Sequence, residues 1–244
     1  MWQLPPTFLT LESTEVHLWR TNLELVTEEV EQLSAILSDD ERIRADRFYF
    51  PQHRQRFTVA RATLRQILGY YLEIAPARVE FTYNSRGKPE LADNKDKWLQ
   101  FNLSHSEGWA LYGITRDRRI GVDLERLRAL EDLEKLAERF YISTEYQVIS
   151  QLPAKEKEIA FFRGWTAKEA YLKATGEGLA GGLDQVEVSL NIDQPLRLLK
   201  LPGNASVSDW SLVCPDVHPE YLAAIAVESC GLQLRYWDRL LEQL

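Results

Sequence analysis

A near-repeat constrains this chain more than any other feature of its sequence. Arg47-Phe48-Tyr49 recurs as Arg139-Phe140-Tyr141, and at an offset of 108 residues Phe57, Thr58, Ala62, Leu64 and Arg65 meet Trp165, Thr166, Ala170, Leu172 and Lys173. Apolar residues three and four apart predict an amphipathic helix over 57–72, with Phe57, Ala60, Leu64, Ile67, Leu68 and Tyr71 on one face, and a second helix over 155–175. Strand patterns follow each: 79–83, 99–103, 109–115 and 119–125 after the first, and 186–190, 210–214 and 221–227 after the second. Further helical patterns fall at 28–37, after Ser38 with its capping partner Glu41, and at 130–140, and a first strand at 16–19. Glycines 176, 178, 181 and 182 break the second long helix. This order predicts an α/β (α+β) chain of two similar halves, residues 1–117 and 118–244, related by a pseudo-twofold with a ligand site at their interface.

Composition narrows the chemistry. An apolar fraction of 45% with seven tryptophans describes a chain that folds, and a net charge of −8 gives no general attraction to nucleic acid or anionic membrane. An anion must therefore be held by a local cluster of cations. Cys214 and Cys230 lie in no Cys-x-x-Cys pattern and read as reduced thiols. The N-terminus lacks the basic start and apolar run of a secretory leader, and no stretch approaches a membrane span. These features predict a soluble, cytoplasmic protein. Neither a P-loop nor a Gly-x-Gly-x-x-Gly turn after a strand occurs, and the four histidines include no pair at zinc-ligand spacing.

The candidate chemistry lies in carboxylates. In Ile120-Gly121-Val122-Asp123-Leu124-Glu125 a strand turns Asp123 and Glu125 to the same face. Neighbouring acids repel unless a cation lies between them, and oxygen ligands of this kind suit Mg²⁺; a solvated strand end would show the same pattern. On the helix over 155–175, Trp165, Glu169 and Lys173 are four residues apart, so Glu169 can join the two acids while Lys173 waits one turn away for a phosphate. A solvated Glu169–Lys173 ion pair is the plain alternative. Asn102-Leu103-Ser104-His105-Ser106 sets hydroxyl and imidazole donors at a strand end, as a phosphate site or a capped turn would. Arg86-Gly87-Lys88-Pro89 is a turn with two cations, and Arg44, Arg56 and Arg61 add positive charge to the first half.

Phe101-Asn102-Leu103-Ser104-His105-Ser106, Gly121-Val122-Asp123-Leu124-Glu125 and Trp165-Thr166-Ala167-Lys168-Glu169-Ala170, in this order, resemble the 4′-phosphopantetheinyl transferases of the surfactin-synthetase-activating (Sfp) type. Arg86-Gly87-Lys88-Pro89 and Arg139-Phe140-Tyr141-Ile142-Ser143-Thr144-Glu145 fit the same family pattern. The resemblance implies Mg²⁺-dependent transfer of the phosphopantetheine arm of coenzyme A to a serine of an apo acyl or peptidyl carrier protein, with release of adenosine 3′,5′-bisphosphate. It implies that Asp123, Glu125 and Glu169 hold Mg²⁺ and that Lys173 meets the pyrophosphate. It sets Arg44, Lys88, Ser104 and His105 around the nucleotide and its 3′-phosphate, with Arg56, Arg86, Gly87 and Lys168 added to the coenzyme contacts. Glu169 or Glu145 would take the serine proton, and Glu145 could equally be a helix N-terminal residue. The chain departs from the family at Glu41, where a basic residue is expected, and at Leu124, which cannot ligate, so that water completes the metal shell. The length fits the two-halved monomer rather than the shorter, trimeric holo-acyl-carrier-protein synthase type. Carrier docking is expected on an apolar patch near residues 139–146 and the helix before Gly176. A non-catalytic coenzyme A-binding module and a metal-dependent phosphohydrolase are the rival readings.

Overall fold

The computed structural model describes residues 1–178, 182–191 and 194–238. The chain runs β1 (Glu15–Asn22), α1 (Thr27–Ser34), α2 (Asp39–Asp46), α3 (Pro51–Leu72), β2 (Phe81–Tyr83), β3 (Pro89–Leu91), β4 (Leu99–Ser106), β5 (Trp109–Arg116) and β6 (Ile120–Arg126). It continues through α4 (Leu133–Phe140), α5 (Ser143–Gln151), α6 (Ala154–Thr175), β7 (Glu187–Val188), β8 (Leu198–Lys200), β9 (Ser211–Val213), β10 (Tyr221–Val227) and β11 (Gln233–Asp238).

Two sheets carry the architecture, one in the order β11-β1-β5-β4 and the other in the order β6-β10-β9. Strand alternation decides which core each residue enters. On β1, Val16 and Leu18 are buried in a core shared with Ile120, Val122 and Leu124 of β6 and Ala223, Ile225 and Val227 of β10, while Trp19 enters a different core with Val59, Leu64, Ile67 and Leu68 of α3. On β10 the alternate residues Ala224 and Ala226 enter a third core with Ala167, Ala170 and Leu172 of α6. The layers are thus α3, first sheet, second sheet and α6, with apolar residues on both faces of both sheets. This explains why these strands read as nearly continuous apolar runs.

Two glycines permit this stacking. A Cβ on Gly113 would lie 2.6 Å from the Ile120 side chain, so the bare backbone of β5 lets β6 cross it closely. A Cβ on Gly121 would lie 2.0 Å from the Ala170 carbonyl oxygen and 2.3 Å from the Ala174 nitrogen, so α6 rests its backbone directly on β6. Gly121→Ala is expected to push α6 off the strand and destabilise the protein by about 1–3 kcal/mol, the usual cost of overpacking. A urea midpoint unchanged from the parent would contradict this contact.

α3 and α6, the two repeat helices, have the same length of 22 residues and each ends in a left-handed residue, Glu73 and Gly176. Two details differ from the sequence expectations. α5 occupies residues for which the sequence offered only the alternative that Glu145 begins a helix, as it does, because a nine-residue helix offers little more than two turns of periodicity. β11 pairs in parallel with β1, from Glu15 opposite Gln233 to Arg20 opposite Asp238, so the expected division at 117 is crossed by a strand from the end of the chain. Gly181 lies outside the described residues. Cys214 and Cys230 are both free thiols. Among the described residues no helix is long and apolar enough to cross a membrane.

Candidate active site

β6 places its two acids as the alternation requires. Val122 and Leu124 turn into the core between the sheets, and Asp123 and Glu125 turn to the opposite face, where Gly121 receives α6. Asp123 is 3% exposed, which makes its carboxylate costly unless partnered. Lys173 of α6 supplies the partner: its Nζ lies 2.5 Å from Asp123 Oδ1. Ser104 Oγ of β4 donates to the same oxygen at 3.0 Å and accepts from Lys173 Nζ at 3.1 Å. The other oxygen, Asp123 Oδ2, is buried with no hydrogen-bond partner among the described residues. Glu125 accepts from Ser106 Oγ at 3.2 Å and from Arg128 at 3.4 Å.

The carboxyl groups register one another electrically. Glu169 is pushed up to about 7, first by burial and then by the charges of Asp123 and Glu125, with Lys173 opposing. Glu125 is also raised, by burial and by Asp123. Among the described residues no three acids, histidines or cysteines close into a metal cage; the Lys173 ammonium stands on Asp123 where a cation is called for. An orphaned buried carboxylate oxygen, two destabilised carboxylates and a stand-in cation are features that fit a divalent metal with oxygen ligands.

Beside the acids lies a cationic neighbourhood. His105 is exposed at its surface, yet the protein around it, followed by the charges of Lys173, Arg56 and Arg44, holds its pKa below the usual histidine value. A neutral imidazole facing three cations is a place where an anion is favoured. Arg44 stacks its guanidinium 5.3 Å from the Phe57 ring centre and is exposed. Arg56 is held by Glu24 at 2.7 Å and Glu107 at 2.9 Å, so its charge is largely matched within the protein. In the turn between β2 and β3, Asn84 accepts from the backbone of Arg86 and Lys88, and Gly87 adopts a φ of +80°.

Four of the expected site residues have structural employment. Lys88 donates to the carbonyl oxygen of Lys173 at 2.7 Å and to that of Ile120 at 3.4 Å, and burial lowers its pKa to about 8. Its ammonium thus ties the turn to the end of α6 and the start of β6, rather than standing free for a nucleotide. Ser104 spends its hydroxyl on Asp123, Lys173 and the backbone of Leu124. Lys168, which the resemblance sets among the coenzyme contacts, is fully buried, 2.5 Å from Glu145 Oε2 and 3.1 Å from the Leu183 carbonyl oxygen. Glu145 also accepts from the backbone of Val188 at 2.8 Å and of Ile142 at 3.1 Å. Burial raises the Glu145 carboxyl and lowers the Lys168 ammonium, and their contact opposes both shifts. The pair pins α5 to α6 and to the segment around β7, away from solvent. Both oxygens of Glu145 are thus engaged within the protein, and the Lys168 ammonium is turned to Glu145 and Leu183.

Glu41, the acid at an expected basic position, caps α2 from Ser38 as the sequence predicts and has a second role that the sequence reading did not assign. It is 2% exposed and receives Arg61 on one oxygen and Arg65, at 2.6 Å, on the other. Its Oε2 also accepts from the Ser38 backbone at 3.1 Å. Glu41 therefore clamps α2, which carries Arg44, to α3. Arg61 and Arg65, four residues apart on α3, were the signal that could have revealed it. Arg65 and Lys173, matched in the repeat, thus serve different acids: the first locks a helix pair, the second meets Asp123.

Comparison with known proteins agrees with this geometry. The profile of the 4′-phosphopantetheinyl transferase superfamily matches residues 119–226, and that of the 4′-phosphopantetheinyl transferase N-terminal region matches residues 19–113. The chain is 47% identical to the 4′-phosphopantetheinyl transferase HetI of Nostoc sp. over 237 residues, 97% of each chain. It is 32% identical over 176 residues to 4′-phosphopantetheinyl transferase psf-1 of Bacillus pumilus, covering 72% of this chain and 73% of that one. It is 30% identical over 204 residues to 4′-phosphopantetheinyl transferase Sfp of Bacillus subtilis, covering 82% of this chain and 86% of that one. With identity sustained across nearly its whole length, the chain belongs to the 4′-phosphopantetheinyl transferase superfamily, in its Sfp-type branch.

Proposed function

We propose that this transferase takes the phosphopantetheine arm from coenzyme A in a Mg²⁺-dependent reaction and passes it to a serine hydroxyl of an apo acyl or peptidyl carrier protein. Adenosine 3′,5′-bisphosphate is the second product. The observation that carries the reading is Asp123, with one oxygen on Lys173 and the other buried without a partner, beside the raised carboxyls of Glu125 and Glu169. Asp123, Glu125 and Glu169 would hold Mg²⁺, which when bound neutralises the pyrophosphate and eases departure of the leaving group. Lys173 is within reach to share the charge of the same phosphates. Glu169 is favoured over Glu145 for accepting the serine proton, since it borders the acids while Glu145 is enclosed by three donors. His105 and Arg44 suit the 3′-phosphate, a dianion that their cationic surroundings would favour. The protein is read as a cytoplasmic monomer, since Ser104 of the first half meets Asp123 and Lys173 of the second within one chain.

The test is to incubate the protein with coenzyme A, Mg²⁺ and an apo carrier and to weigh the carrier. A gain of one phosphopantetheine arm, dependent on Mg²⁺, is expected. Breakdown of coenzyme A without a carrier would identify a hydrolase, and binding without turnover a coenzyme-binding module. For the nucleotide end, His105→Ala is expected to raise KM for coenzyme A by an amount corresponding to roughly 1.5–3 kcal/mol, with kcat little changed. The penalty should shrink with 3′-dephospho-coenzyme A, and equal penalties with both donors would remove the 3′-phosphate role.

A further inference from the structure

The two sheets meet where neither strand has a backbone partner to offer. β4 is the edge of the first sheet and β6 the edge of the second. An open edge leaves a row of backbone N–H groups that must be satisfied when buried. Three side chains of β4 do this. Asn102 Oδ1 accepts from Val122 N at 2.8 Å, Ser104 Oγ from Leu124 N at 3.3 Å, and Ser106 Oγ from Arg126 N at 3.1 Å. The partners advance by two residues on both strands, as rungs of a ladder do. The same serines turn their own protons to the acids between the rungs: Ser104 donates to Asp123 Oδ1 and Ser106 to Glu125 Oε2.

We propose that Asn102, Ser104 and Ser106 form a side-chain ladder that sets the register between the two sheets and thereby aims Asp123 and Glu125, with Ser104 as the positioning residue for Asp123. A hydroxyl has one proton and two acceptor sites. Ser104 uses all three, donating to Asp123 and accepting from Leu124 N and Lys173 Nζ. With Oδ1 fixed by Ser104 and Lys173, the Asp123 side chain has one oxygen left, Oδ2, which is the one without a partner. The ladder therefore decides which oxygen of Asp123 is offered to a cation. A serine at 104 serves this end, where the sequence resemblance had set it at the nucleotide. A slip of one residue between β4 and β6 would turn both acids into the apolar core between the sheets.

The inference rests on the proposed coenzyme A-dependent transfer for its kinetic arm but not for its structural arm. In the metal-free protein, Ser104→Ala is expected to speed amide hydrogen exchange at Leu124 more than at Val122, while Asn102→Ala does the reverse. In steady-state transfer, Ser104→Ala is expected to lower kcat by roughly tenfold to a hundredfold, the usual cost of a misaimed group, with KM for coenzyme A within about twofold of the parent. Ser104→Thr, which keeps the hydroxyl, should recover part of that loss. Ser106→Ala, at the more exposed end of the ladder, provides a folded variant with exposed Arg126 N if Ser104→Ala does not fold. Raised KM with kcat preserved would put Ser104 back on the nucleotide and overturn the proposal. Unchanged exchange at Leu124 in Ser104→Ala, or at Arg126 in Ser106→Ala, would overturn it independently. A parent protein that never modifies the carrier would refute the transfer reading instead, leaving the exchange data to judge the ladder.

Discussion

Lys168→Met is expected to destabilise the protein by about 3–5 kcal/mol, the range observed when one member of a buried ion pair is removed. The cost arises at Glu145, which would be left charged and enclosed with only the backbone donors of Ile142 and Val188. Lys168 has no exposed surface and Glu145 is 3% exposed, so water cannot replace the lost partner without opening the α5–α6 contact. The double variant Lys168→Met/Glu145→Gln should recover much of the loss, because a neutral amide leaves no buried charge without its partner and can still accept from a backbone N–H. Urea denaturation of the parent, both single variants and the double variant measures this directly. Activity per folded molecule should stay within severalfold of the parent. A Lys168→Met protein of normal stability and no transfer activity would return this pair to the chemistry.

Lys168 and Glu145 show what a pattern conveys and what it hides. Lys168 lies four residues after Gly164, seven after Phe161 and three before Tyr171, all buried, so its place in the apolar stripe of α6 was visible in the spacing. Its charge hides that burial, because the partner that makes it tolerable lies 23 residues away on another helix. The strands were readable for the opposite reason: β10 matches the expected 221–227, and β6 differs from its expected bounds by a single residue at each end, because buried strands announce themselves by apolar content alone. The facing of Asp123 and Glu125 followed from strand alternation. Their neighbour Ser104 did not, since only the crossing of β4 and β6 creates that contact. The parallel pairing of β11 with β1 was equally hidden, as it joins residues more than 200 positions apart.

Glu169→Gln should abolish transfer while strengthening the metal-free fold. In the parent, the Glu169 carboxyl is raised to about 7 by burial and by Asp123 and Glu125, against about 4.5 for the free side chain. The folded state therefore holds this proton more tightly than the unfolded chain, so the contribution of Glu169 to stability is fully present below pH 4.5 and lost as pH rises through 7. Glutamine keeps the shape without the charge. Relative to the parent, the metal-free variant should be unchanged in stability near pH 4.5 and more stable at pH 8, by on the order of 3 kcal/mol at most. Mg²⁺ alone should raise the melting temperature of the parent at pH 8, because it relieves the same repulsion, and should raise that of Glu169→Gln less. Asp123→Ala should respond like Glu169→Gln to Mg²⁺ but without the stability gain, since it also strands Lys173 and Ser104. Both variants should lose transfer by at least about a thousandfold, as expected when a group stabilising charge in the transition state is removed. Near-normal turnover at saturating Mg²⁺ in either variant would dismiss the carboxylate site, and a metal-free Glu169→Gln protein no more stable than its parent at pH 8 would show that the acids on β6 and α6 do not repel.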